Sequence, residues 1–156
     1  MPRRGRISKR KGSADPKFGS LMVQKFVNKL MIKGKKATAE KIFYGAMDQV
    51  AKKSSQDPMA VFEKALKNIT PFMEVKSRRV GGSTYQIPIE VTKDRGTSIA
   101  MKWLRMSAQE RQGRSMAEKL ASEIMDASNG TGGAAKKRED LHKTAEANKA
   151  FAHFRW

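Results

Sequence analysis

A chain of 156 residues is long enough to fold around one core, burying roughly 70 per cent of the surface that its unfolded form exposes. Its 33 Lys and Arg against 15 Asp and Glu give a formal net charge of +18, far beyond the magnitude of ~2 to 8 that solubility alone favours, so the self-repelling compact state calls for a polyanionic partner. The lack of cysteine excludes disulfides, thiolate metal sites and a cysteine nucleophile, and no apolar run approaches the ~18 residues of a spanning helix, which points to nucleic acid in a reducing cytosol rather than to a membrane.

Met1 to about Phe18 carries Arg3, Arg4, Arg6, Lys9, Arg10 and Lys11, with Ile7 as its one sizeable apolar group before Phe18. This stretch is expected to be a basic, flexible arm (1–18) that orders on a partner, and it has no signal-peptide core. The helical domain (19–156) follows. Met22, Val23, Phe26, Val27, Leu30 and Met31 recur at helical spacing, with Gly34 placed to end that first helix and Lys25, Lys29 and Lys33 on its other side. No acidic residue stands four positions from any of these lysines in the sequence, so the stripe is assigned to phosphate contact. Beyond the basic linker Lys35 and Lys36, a second helix is written by Ala39, Ile42, Phe43, Ala46, Met47 and Val50. Asp57 as cap and Pro58 in the first turn open a third, through Val61, Phe62, Ala65, Leu66 and Ile69, which Pro71 ends.

From Met73 to Val91 the period changes to two, on either side of Gly81 and Gly82, whose tolerance of positive φ suits a hairpin reversal. Pro88 restricts its strand to an edge, and no third strand is offered, so the ribbon must rest on helices while its outer end, with Lys76, Arg78 and Arg79, meets a partner. Ile99, Ala100, Trp103, Leu104 and Ala108 mark a fourth helix, with Arg95, Lys102 and Arg105 mostly off its apolar stripe and Trp103 in the core. Ser115 with Glu118 forms a capping box for a fifth helix, closed at Asn129 and Gly130. Gly130 to Gly133 is expected to be a flexible joint, leading to a polar sixth helix from about Lys136 to Asn148 with a thin stripe of Leu141 and Ala145. In the tail (149–156), Phe151, Phe154 and Trp156 follow the last helical pattern and either dock on the body or stack on RNA.

The fold class is therefore mainly α: a single domain of six helices with a protruding two-stranded antiparallel ribbon between the third and fourth. Catalysis finds no support. His142 and His153 are not spaced as a metal pair, most acids alternate with lysines along helix faces, and the glycine run lacks both the strands of a backbone-clamping loop and a Walker ending.

The string MEVKSRRVGGSTYQIPIEV from Met73 to Val91 closely resembles the hairpin of the family of ribosomal protein seven of the bacterial small subunit. So do GGAAKKRED from Gly132 and AEANKAFAHFRW from Ala145, together with Asn28 to Met31, Gly34 to Lys36, and Trp103 with Leu104. The resemblance spans nearly the whole chain. It implies a structural, non-catalytic protein of the cytoplasmic ribosome that anchors the three-prime major domain of small-subunit rRNA early in head assembly. The rRNA-binding residues it implies are Arg3, Arg4, Arg6, Lys9, Arg10, Lys11, Lys25, Lys29, Lys33, Lys35, Lys36, Lys76, Arg78, Arg79, Arg95, Lys102, Arg105, Arg111 and Arg114. Facing exit-site tRNA and mRNA would be Val80, Gly81, Gly82, Ser83 and Thr84 at the ribbon tip, with His153, Arg155 and Trp156 of the tail. Small-subunit proteins nine and eleven are implied as neighbours; no metal, cofactor, membrane or small-molecule substrate is. In the arm, Gly5 to Lys11 keeps the charge but not the family's spelling. The rival is a DNA-architectural protein with its ribbon in the minor groove, but such arms wedge an apolar residue at a base step, and this tip is Gly81-Gly82 with Pro88 in mid-strand.

Overall fold

The structure, a computed structural model, describes residues 12–154. In chain order these form α1 (Leu21–Leu30), α2 (Lys36–Ser54), α3 (Pro58–Ile69), β1 (Met73–Val80), β2 (Ser83–Glu90), α4 (Lys93–Glu110), α5 (Met116–Ser128), α6 (Gly132–Ala147) and a 3-10 helix (Lys149–Phe154). The mainly helical class and the ribbon between α3 and α4 are as the sequence predicts; the closing 3-10 helix is additional. The chain divides into two compact units, Met1–Glu40 and Lys41–Trp156, with the boundary inside α2.

In the first unit, the Asp15 carboxylate accepts the backbone N–H groups of Lys17 and Phe18 at 3.1 and 3.0 Å, and Asp15 is only 1% exposed. Side-chain capture of a turn's own donors is the habit of Asp in such positions. Gly19 takes a positive φ of 60°, and Ser20 then caps α1 by accepting from the Met22 N–H at 3.2 Å. Val23, Phe26, Val27 and Leu30 are the buried stripe of α1. The helix stops at Leu30, short of the expected Gly34. Lys33 and Gly34 are both in the left-handed region, with φ of 53° and 74°, so they make a turn, not a last helical turn.

In the second unit, Asp57 accepts from the Met59 and Ala60 N–H groups and Pro58 occupies the first turn of α3, as its order in the sequence requires. Phe43 and Phe62 are both fully buried and meet edge to face, ring centroids 5.4 Å apart, at the centre of the core. Ala100, Met101, Leu104 and Ala108 of α4 join Leu120, Ala121, Ile124 and Ala127 of α5 in that core. Trp103 and Leu141, expected inside, are only half-buried. The sixth helix buries Ala134, Ala135 and Ala145, because alanines let its backbone lie close to its neighbours. The Asn68 amide donates to the Ala127 and Ser128 carbonyls at 3.0 and 2.9 Å, satisfying the end of α5 from α3. Arg138 of α6 donates to the Asn68 carbonyl, so the three helices are tied at one corner.

The glycines at the start of α6 are not a flexible joint. Helix α6 begins at Gly132, and a Cβ on Gly132 would meet Asp126 Cβ at 3.1 Å while one on Gly133 would meet Ser107 Cβ at 3.1 Å. Those residues are small so that the helix end can press onto α4 and α5. Glu123, fully buried, accepts the Ala134 N–H at 2.8 Å and thus does the capping that the Thr131 side chain does not. The capping box at α5 is half formed. Ser115 accepts from the Glu118 N–H, but the Glu118 carboxylate takes the N–H of Arg114 instead of that of Ser115.

Candidate nucleic-acid interface

Strands β1 and β2 pair antiparallel with Val80 opposite Ser83, so the reversal is only Gly81 and Gly82, at φ of 57° and 92°. Positive φ at both central residues is the geometry whose twist matches a hairpin. Arg78, Arg79 and Val80 on one side of the reversal and Ser83 and Thr84 on the other all lie in strand. Because side chains alternate, Glu74, Lys76, Arg78 and Val80 share one face with their partners Ile89, Ile87, Tyr85 and Ser83, while Arg79 shares the other with Thr84. The neighbours Arg78 and Arg79 consequently point apart and do not form one cluster.

The first face is where the tail docks. Tyr85 packs against the rings of Phe151 and Phe154, at centroid distances of 5.0 and 5.7 Å, and Arg78 donates to the Phe154 carbonyl at 3.2 Å. Of the two options for these aromatics, docking on the body is therefore the one seen for Phe151 and Phe154. Arg79, Lys76 and the tip residues Gly81 to Thr84 are exposed, Val80 half so, and nothing lies within 4 Å of where a Cβ on either tip glycine would stand. His153 is exposed. Arg155 and Trp156 lie outside the described residues, as do Arg3, Arg4, Arg6, Lys9, Arg10 and Lys11.

At the base of the ribbon the Phe72 N–H donates to His142 Nε2 at 3.4 Å, and the two rings sit 4.1 Å apart. Burial, and then the nearby Arg138 charge, pull the His142 pKa below its ordinary value.

Helix α4 places Arg95 and Lys102 seven residues apart on the side away from the buried Ala100, Leu104 and Ala108, while Arg105 stands at the margin, next by helical period to the buried Met101 and Ala108. Arg95 and Lys102 are exposed and Arg105 is half-buried. Arg95 donates through Nε to both oxygens of Glu74, at 2.9 and 2.8 Å. Arg111 is engaged differently. Its guanidinium joins Glu123 and Asp126; burial works against its charge, but those two carboxylates outweigh it and hold the pKa above the usual arginine value. Arg114 is exposed beyond it. The Glu123 contacts carry no local signal in the chain, since Arg111, Glu123 and Ala134 belong to different elements.

In the first unit Lys25 and Lys29 are exposed on α1, Lys33 follows in the turn, and Lys35 and Lys36 lead into α2, where Lys36 pairs with Glu40 at 3.5 Å. The three lysines are exposed as expected, but only two of them ride on the helix.

A family model described as ribosomal protein S7p/S5e matches residues 2–149 of the chain. The chain belongs to that family. Relatives named small ribosomal subunit protein uS7 match over their whole length and the whole of this chain: 57% identical in Dictyoglomus turgidum, 58% in Carboxydothermus hydrogenoformans and 60% in an Anaeromyxobacter species. Membership in the S7p/S5e family makes the chain a small-subunit ribosomal protein, for which RNA binding and translation are the setting and the role is structural. No described helix is long and apolar enough to cross a membrane.

Proposed function

We propose that this structural constituent of the small ribosomal subunit binds the three-prime major domain of its rRNA, nucleates assembly of the head, and lines the exit site beside tRNA and mRNA, with proteins nine and eleven as neighbours. The observation that carries this reading is the exposure of Arg95 and Lys102 on the outer side of α4, with Arg105 half-buried at its margin, together with Lys76 and Arg79 exposed on the ribbon. Cations held on rigid elements neutralise phosphates converging from several RNA strands, and A-form RNA is read by such shape and backbone contacts. Lys25, Lys29, Lys33, Lys35 and Lys36, the basic arm, and Arg114 extend the same chemistry. Arg78 and Arg111 contribute less directly, because each is half-buried and holds protein to protein, whereas Arg95 keeps its side chain 57% exposed while it pairs with Glu74. The bare Gly81-Gly82 tip lets backbone donors approach an RNA strand closely, and it is assigned with the tail to the exit site.

The test is filter binding of the full chain to a three-prime major-domain fragment and to a five-prime-domain fragment of equal length. Preference for the first is expected, with affinity falling ~10³ to 10⁵ fold between 50 and 200 mM salt if six to ten phosphates are met. Equal binding to both would overturn the assignment.

A further inference from the structure

Glu74 is an anionic side chain set among residues assigned to phosphate, and it is nearly buried, at 7% exposure. It receives Arg95 Nε on both oxygens, at 2.9 and 2.8 Å, and has Lys76 Nζ 4.0 Å from Oε1. The two cationic side chains are themselves open, 57% and 64% exposed. One comes from the first turn of α4 and the other from β1, so the carboxylate joins helix and ribbon at this point.

We infer that Glu74 is a positioning residue that draws Lys76 and Arg95 together into a two-pronged site for a single RNA backbone phosphate. The inference rests on the RNA-binding reading above. Two cations side by side repel, and long side chains left alone sample many rotamers; a shared carboxylate removes both obstacles before RNA arrives. Anchoring Arg95 through Nε occupies that one donor, and the guanidinium has four further N–H groups in a planar fork suited to phosphate oxygens. The Lys76 ammonium adds a point charge on the same carboxylate.

The sign of one substitution separates positioning from charge alone. Glu74→Gln takes the formal net charge from +18 to +19 by removing one negative charge, which on charge alone strengthens binding to RNA. If Glu74 positions the pair, the full-length Glu74→Gln protein binds the three-prime-domain fragment about three- to fivefold more weakly, and its log–log salt slope falls by about one phosphate contact. Arg95→Lys, which keeps the charge and leaves Glu74 in place, loses a comparable factor, and Glu74→Gln has no further effect once Arg95→Ala is present. Circular dichroism checks that each variant retains its helices; if Glu74→Gln does not fold, Arg95→Lys decides. Tighter or unchanged binding by Glu74→Gln, or a neutral Arg95→Lys, overturns the inference while weaker binding by Arg95→Ala and Lys76→Ala leaves the RNA reading standing. Unchanged binding by those two alanine variants overturns both.

Discussion

Replacing Glu123 tests how the second unit holds α6 in place. In Glu123→Ala the buried N–H of Ala134 loses its acceptor, a loss of about 1–3 kcal/mol for an unsatisfied buried donor. Arg111 loses one of its two carboxylates, and removing one partner of a buried ion pair costs about 3–5 kcal/mol. Arg111 keeps Asp126, its side chain is 27% exposed and that of Asp126 44%, so water tempers the electrostatic part. The combined loss is set at about 3 kcal/mol, a large share of the ~5 to 15 kcal/mol that holds a domain together. With a urea slope near ~2 kcal/mol/M, that moves the unfolding midpoint down by roughly 1.5 M. Glu123→Gln keeps an acceptor for Ala134 and loses only the charge, so about half that shift is expected. Equilibrium urea unfolding followed by circular dichroism measures both. A Glu123→Ala protein within about 1 kcal/mol of the parent, or equal losses for Ala and Gln, would refute this description of the corner.

Three further outcomes rest on other contacts of the second unit. His142 has a folded pKa below its ordinary 6.5, so it contributes stability that is present above pH 6.5 and lost as pH falls through its lowered value. Arg138 disfavours its proton, while Glu146 and Lys149 line the same cleft; between pH 7.5 and 5 the urea midpoint of the parent drops more than that of His142→Gln, and equal drops would contradict the assignment. Tyr85→Ala removes two ring contacts, each worth about 0.5–1.5 kcal/mol, so ribbon amides exchange several-fold faster with deuterium while those of α3 and α5 do not change. Gly96→Ala puts a Cβ 2.9 Å from Thr70 Cγ2 and 3.0 Å from the Pro71 carbonyl oxygen, costing about 1–3 kcal/mol in thermal or urea unfolding.

Features that depend on a few neighbouring residues were legible in the sequence. Asp57 with Pro58 marks a helix start, Gly81 with Gly82 marks a reversal, and the stripes through Phe26, Phe43 and Phe62 mark buried faces, because each is a local consequence of backbone geometry or helical period. Long-range partnerships were not. Gly132 and Gly133 read as a joint because glycine is permissive, whereas here their lack of a side chain serves close packing that only Ser107 and Asp126 reveal. Arg78 and Arg79 were both expected at the ribbon's outer end against a partner, yet strand alternation sends the first to the Phe154 carbonyl. Trp103 falls on the apolar stripe by period but is only half-buried. Within the candidate interface, the exposure of Lys25, Lys29, Lys76, Arg79 and Lys102 was foreseeable; the half-burial of Arg78, Arg105 and Arg111 and the carboxylates that hold Arg95 and Arg111 were not, since Glu74 and Glu123 lie on other elements.

The most direct measurement is ultraviolet cross-linking of the full chain to the three-prime major-domain fragment, with the cross-linked peptides read by mass spectrometry. RNA gripped as proposed gives cross-links in α1 and the turn at Lys33, along the ribbon at Lys76 and Arg79, and on the outer side of α4. Cross-links confined to other surfaces, with these peptides recovered unmodified from a complex that has formed, would contradict it.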